Sequence, residues 1–85
     1  MAGYKILLRA SVRKDLEPIP ARDLKRITER IRALADDPRP QGCEKLSAQE
    51  RYRIRQGHYR IVYSIQDDER TVWIVKVGHR REVCR

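Results

Sequence analysis

The sequence predicts an α+β fold: an N-terminal strand, a two-helix hairpin, then a three-stranded antiparallel meander. The four strands would form one mostly antiparallel sheet, covered on one face by the helices. Three observations lead there. The stretch Arg51-Tyr-Arg-Ile-Arg-Gln-Gly-His-Tyr-Arg60 alternates cation and apolar residue, breaks at Gly57-His58, and resumes through Ile61-Val-Tyr63. Period-two alternation across a Gly-containing turn is the mark of a β-hairpin. Leu24, Ile27, Ile31 and Leu34 recur at helical spacing among Arg, Lys, Glu and Thr. Finally, the apolar runs follow the order strand, helix, helix, strand, strand, strand.

Each element has its own signal. Residues 3–8 (Gly-Tyr-Lys-Ile-Leu-Leu) read as the first strand. Ser11 is a suitable N-cap for a short helix through about Leu16, and Pro18 and Pro20 interrupt it. Pro20 suits the start of the second helix, and Asp37-Pro38-Arg39-Pro40 stops it. Residues 38–50 are expected to form a loop around Gly42. After the hairpin comes an acidic turn at Asp67-Asp68-Glu69-Arg70, then a strand over Thr71–Val77 that Gly78 ends. His79-Arg-Arg-Glu-Val-Cys-Arg85 remains as a short basic tail.

The hairpin fixes its own register. Gly57 at the first central position suits a type II′ turn. Counting outward sets Arg55 against Arg60, Ile54 against Ile61 and Tyr52 against Tyr63. One sheet face then buries Tyr52, Ile54, Ile61 and Tyr63; the other carries Arg53, Arg55 and Arg60. With the next turn at 67–70, Ile65 faces Val72, Tyr63 faces Ile74, and Trp73 joins the arginines opposite Ser64, beside Val62 and Val75. Like charges directly opposed on paired strands are destabilising. Removing Arg55 or Arg60 should therefore be neutral or mildly stabilising, and a polyanion is the partner that would justify keeping both.

Composition points the same way. At 85 residues the chain is expected to be a single domain, residues 1–85, with a small core. Its 20 cations against 12 acids give a net charge of +8, and 15 of the 20 are Arg. Arg offers a planar fork that grips phosphate bidentately, which Lys cannot do. No apolar run is long enough for a membrane span, and no signal-peptide pattern is present. Cys43 and Cys84 are too few for a disulfide framework or a zinc site, so a cytoplasmic protein with reduced thiols and no metal or cofactor is expected.

Taken together these segments resemble the RelE/ParE toxin superfamily of toxin–antitoxin systems. The resemblance rests on the early strand, the helical hairpin with its Asp-Asp-Pro-Arg stop, Tyr52-Arg-Ile-Arg55, Gly57-His-Tyr-Arg-Ile-Val-Tyr63 and Val77-Gly-His-Arg-Arg-Glu-Val83. It implies either a RelE-like, ribosome-dependent endoribonuclease that cuts mRNA or a ParE-like inhibitor of DNA gyrase. The family's two lysines before the turn fall on Arg53 and Arg55, and its later arginines on Arg60 and Arg80. All four positions are cationic, which favours the nuclease. The terminal tyrosine of RelE-like toxins falls on Cys84, so an attenuated toxin serving mainly as an antitoxin and operator-complex partner is a further alternative. A cognate acidic, amphipathic antitoxin would wrap the basic face by coupled folding. DNA would be met only indirectly, through that complex.

The chemistry has its own logic. RNA supplies a 2′-OH nucleophile, so cleavage needs that hydroxyl activated, a pentacoordinate phosphorane stabilised and the 5′ oxygen protonated, none of which requires a metal. Fixed guanidinium donors lower such a barrier, one donor being worth about 3–4 kcal/mol. Arg55, Arg60 and Arg80 are the expected stabilisers; Arg51, Arg53, Arg81 and Trp73 are expected to hold RNA, Trp73 by stacking on a base. For the general base the candidates are His79, Glu82 and Cys84, the last as a thiolate favoured by neighbouring arginines. His58 is expected to be only a turn residue.

Overall fold

The computed structural model describes residues 3–46 and 51–79. β1 (Lys5–Leu8) leads into α1 (Ala10–Leu16) and α2 (Ala21–Ala33). Then come β2 (Glu44–Leu46), β3 (Arg51–Gln56), β4 (Tyr59–Gln66), a 3-10 turn at Asp67–Glu69, and β5 (Thr71–His79). The sheet runs β1-β5-β4-β3-β2. The helical pair carries the chain from β1 at one edge to β2 at the other, and β1 lies parallel to β5, with Lys5 opposite Thr71 and Leu8 opposite Ile74. All other pairings are antiparallel.

The expected hairpin register is observed pair for pair, from Gln56 opposite Tyr59 to Tyr52 opposite Tyr63. Gly57 has φ +61°, and Arg70 is the one non-glycine at positive φ among the described residues. A positive φ at Gly57 but not at His58 is what a type II′ turn demands. The β4–β5 pairing likewise sets Tyr63 against Ile74, Ser64 against Trp73 and Ile65 against Val72.

Four expectations need correction. The sheet has five strands, because Glu44–Leu46, placed in a loop by the sequence, pairs with β3. Three residues reading Glu-Lys-Leu are too short to show periodicity. Ser11 lies inside α1, whose N-cap is Arg9 with extended ψ 151° and no capping side chain. The chain enters the helix straight from β1, and Val12 N–H already reaches Arg9 C=O. Gly78 does not end β5: it pairs with Arg60, and the strand continues to His79. A glycine in a strand weakens it without breaking its ladder, since its N–H and C=O remain. The pairing also skips a residue, from Lys76 opposite Val62 to Ile74 opposite Tyr63, so Val75 forms a β-bulge.

The helices pack their apolar stripes on the face that the hairpin register selected. Val12, Ile19, Ile27, Ile31 and Leu34 meet Ile54, Ile61, Tyr63, Val72, Ile74 and Val77 in one core. Tyr63 is wholly buried and donates its hydroxyl to Pro38 C=O at 2.8 Å. That bond holds the α2–β2 connection to the centre of the sheet. Burial, with Cys43 beside the ring hydroxyl, pushes the Tyr63 phenol well above its ordinary pKa. Among the described residues no helix is long and apolar enough to cross a membrane.

Ile31 is 7% exposed within this core. Ile31→Asp puts an unpaired carboxylate there, and a loss of about 3–5 kcal/mol is expected, enough to unfold a domain of this size. Thermal melts check it: a midpoint within a couple of degrees of the parent would mean that α2 does not pack through this face.

Candidate functional site

Strand alternation divides the charged side chains between the two faces. Arg51, Arg53 and Arg55 lie on the side of β3 opposite the core residues Tyr52 and Ile54. Arg60, opposite Arg55, shares their face, as does Trp73 opposite Ser64. By register Lys76, opposite Val62, also turns outward because the bulge at Val75 shifts the alternation by one residue, but its ammonium lies 3.7 Å from the Asp15 carboxylate of α1. The sequence reading missed this cation, since an undetected bulge sends the parity of every later residue the wrong way. The stems of Arg53 and Lys76 flank Val62, which is 7% exposed although it lies away from the helices.

Glu44 was also missed, and it changes the electrostatics of the face. Its Cα is paired with that of Arg53, and the Arg53 guanidinium donates from Nε, at 3.2 Å, and from Nη2 to Glu44 Oε1. The Glu44 carboxyl is held below its ordinary pKa first by this hydrogen-bonded Arg53, with Arg55 and Arg60 adding to the effect. The expected repulsion between Arg55 and Arg60 is thus partly offset by a carboxylate close enough to feel both.

His79 is placed elsewhere. It is the register partner of Tyr59, on the side of the sheet that faces the helices, and its ring meets Tyr59 edge-on at 5.8 Å. His58, from the turn, stacks on it at 6.1 Å. With Lys14, Asp15, Ile19 and Lys76, the rings of Tyr59 and His79 line a cleft of about 290 Å³ between α1 and the end of β5. The structure therefore does not bring His79 onto the arginine face. Arg80, Arg81, Glu82 and Cys84 lie outside the described residues. No group of three or more His, Cys, Asp or Glu side chains among the described residues is arranged to hold a metal ion.

A separate polar cluster braces the opposite end of the sheet. Arg39 grips Asp67 with both Nη atoms, at 3.2 and 2.8 Å, donates from Nε to the Tyr52 hydroxyl at 3.2 Å, and lies over the Tyr52 ring. Tyr4 donates its hydroxyl to Asp67 at 2.6 Å. One aspartate thus ties the entry to β1 and the α2–β2 connection to the β4–β5 turn. The Asp-Asp-Pro-Arg stretch read as a helix stop also supplies this clamp. Arg39, then Tyr4, pull the Asp67 carboxyl from 3.8 down to about 2.

The comparisons bear on the whole of this arrangement. The sequence profile of the ParE toxin of type II toxin–antitoxin systems matches residues 6–84. The chain belongs to the RelE/ParE superfamily of toxins. It is 30% identical over 84 residues to the toxin RelG of Mycobacterium tuberculosis, covering 96% of this chain and 97% of that one. Two solved structures share the RelE fold closely. The toxin–antitoxin complex RelBE2 of M. tuberculosis contains a chain with TM-score 0.82 and 30% identity, covering 92% of this chain and 99% of that one. The RelE–RelB complex of Pyrococcus horikoshii OT3 matches with TM-score 0.83 and 27% identity, over 92% and 96% of the two chains. The profile match alone runs through both helices and to the end of β5, so this RelE/ParE chain is a toxin of a type II system.

Two outcomes are expected. Since Glu44 already offsets the opposed arginines, Arg55→Ala should change stability by no more than about 0.5 kcal/mol, not raise it clearly. Arg60 is half-buried, and removing its stem should cost about 1 kcal/mol. Urea unfolding decides: losses well beyond these would make the cations structural. The clamp gives the second. A carboxyl whose pKa falls from 3.8 to about 2 on folding stabilises the protein above about pH 4 and loses that contribution as pH drops towards 2. Asp67→Asn should therefore melt below the parent at neutral pH, with the gap closing near pH 2; a constant gap would exclude the ion pair as its cause.

Proposed function

We propose that this toxin is a ribosome-dependent endoribonuclease that cleaves mRNA by attack of its own 2′-OH, and that a cognate acidic antitoxin neutralises it. The carrying observation is the row of Arg51, Arg53, Arg55 and Arg60 beside Trp73 on the face away from the helices. Arg55 and Arg60 project from adjacent strands opposite each other, so their guanidinium groups can converge on one phosphate and stabilise a phosphorane electrostatically. Arg80 would complete the set; Arg51, Arg53 and Arg81 would hold flanking phosphates, and Trp73 a base. With His79 on the helix side, the proton acceptor on this reading is Cys84 or Glu82, or a group of the ribosome. A site with so little acid–base chemistry of its own suits a substrate positioned by a larger assembly. The antitoxin is inferred from the relatives solved with RelB and from the exposed basic face, which an acidic helix would cover.

The ParE name of the matching profile supports a second reading, inhibition of gyrase by protein contact. Inducing the chain and mapping mRNA ends by primer extension separates the two. New codon-phased ends, lost in Arg55→Ala and Arg60→Ala, support the nuclease. Arrested supercoiling with intact mRNA supports the gyrase inhibitor.

The terminus yields a further expectation. A tyrosine could stack on a base or orient the 2′-OH, whereas a thiol of pKa about 8.5 is only a few per cent ionised near neutrality. In single-turnover cleavage of ribosome-bound mRNA, Cys84→Tyr should raise the rate and Cys84→Ser leave it nearly unchanged. His79→Asn should stay within about threefold of the parent, against the roughly 10²–10⁴-fold loss of a general base. An inactive Cys84→Ser with no gain in Cys84→Tyr would assign the chemistry to the thiolate. A rate that follows an ionisation near pH 6.5, abolished in His79→Asn, would return the base to His79.

A further inference from the structure

We infer that Glu44 is a built-in competitor for substrate phosphate: its carboxylate occupies the guanidinium fork of Arg53, so that RNA must displace it to use that arginine. This rests on the arginine face being the RNA site. Four observations support this. Nε and Nη2 of Arg53 converge on one carboxylate oxygen, the same two-donor approach by which arginine takes a phosphate oxygen. The Arg53 side chain is 17% exposed while that of Glu44 is 57% exposed, so the carboxylate stands on the solvent side of the pair, where a phosphate would arrive. The carboxylate also responds to Arg55 and Arg60, which places it within the field of the whole cluster, not of one residue. It is carried by β2, a three-residue edge strand bonded only to β3, the least supported position in the sheet from which to hold an anion.

The consequence is discrimination. A face with a resident carboxylate binds isolated strands less tightly than its count of arginines implies. It is then reserved for RNA that another body holds against it, where displacement of an exposed pair is easily met. Displacing a pair whose carboxylate is exposed changes binding by a factor of up to about five. Glu44 thus adjusts affinity without disabling the site.

The measurement is binding of a short fluorescent single-stranded oligoribonucleotide across a range of potassium chloride concentrations. Each phosphate neutralised adds about 0.7 to the slope of log K against log salt for single strands. Glu44→Gln should bind about two- to fivefold tighter at low salt, with a slope steeper by about 0.7, because Arg53 becomes available to phosphate. Arg53→Ala in the Glu44→Gln background should return the slope to that of the parent. Glu69→Gln, in the turn beyond β4, makes the same change in net charge and should leave both quantities near parental values. If Glu44→Gln and Glu69→Gln behave alike, or the slope gain survives Arg53→Ala, the inference is overturned while the RNA face stands. If binding is indifferent to Arg55→Ala and Arg60→Ala as well, the RNA reading fails and takes the inference with it.

Discussion

The β3–β4 register is the constraint on which the rest of the molecule depends. A positive φ at Gly57 closes the hairpin in two residues, and from there every side chain on both strands is assigned a face. Tyr52, Ile54, Ile61 and Tyr63 turn towards the helices; Arg53, Arg55 and Arg60 must turn away. A slip of β3 by one residue would turn Arg53 and Arg55 towards the helices and Tyr52 and Ile54 away from them. The core and the charged face are therefore two consequences of one pairing, and the hydrophobic term that fixes the first also fixes the second. This is why like-charged residues can be held opposite each other: moving them apart would mean dismantling the core.

The same alternation explains what could be read from residues alone. Period-two patterning with a glycine turn carries enough information to give pairs individually, and Trp73 opposite Ser64 followed from counting. The helical stripe Leu24, Ile27, Ile31 and Leu34 was legible for the same reason, a repeat longer than chance. What escaped notice has no repeat. β2 is three residues of mixed character, and it owes its existence to the edge that β3 offers. With it went Glu44, whose importance comes only from lying opposite Arg53. The Arg39–Asp67–Tyr4 clamp joins residues far apart in sequence and has no local signature. His79 was misplaced relative to the arginines because the sequence reading ended β5 at Gly78 and put His79 in a tail, leaving its face unassigned.

The division of labour between the sheet ends follows from charge. Asp67 and the residues around it tie β1, the α2–β2 connection and the β4–β5 turn together. Those contacts are exposed and individually weak. Their value is geometric, since they close the end at which β5 begins its parallel pairing with β1. The pairing of β1 ends at Leu8 opposite Ile74, and beyond it the Asp15 carboxylate of α1 accepts the N–H of Val77 at 3.1 Å. A side chain takes over a task that a strand leaves, which protects an edge that would otherwise invite pairing with another chain.

The bulge at Val75 then accounts for how one nine-residue strand serves both faces. Val72 and Ile74 point into the core; with strict alternation Lys76 would follow them inward and Val77 would face outward. The extra residue reverses that parity, so Val77 returns to the core opposite Ile61, and Lys76 goes outward opposite Val62, beside the row that contains Arg53. A regular strand would have turned Val77 out of the core and given up that position. A bulge avoids this by breaking the ladder at one residue, while the Lys76 ammonium reaches the Asp15 carboxylate of α1 at 3.7 Å. The sequence Ile-Val-Lys-Val, which carries no sign of irregularity, is thus reconciled with the core by local geometry and not by a change of residues.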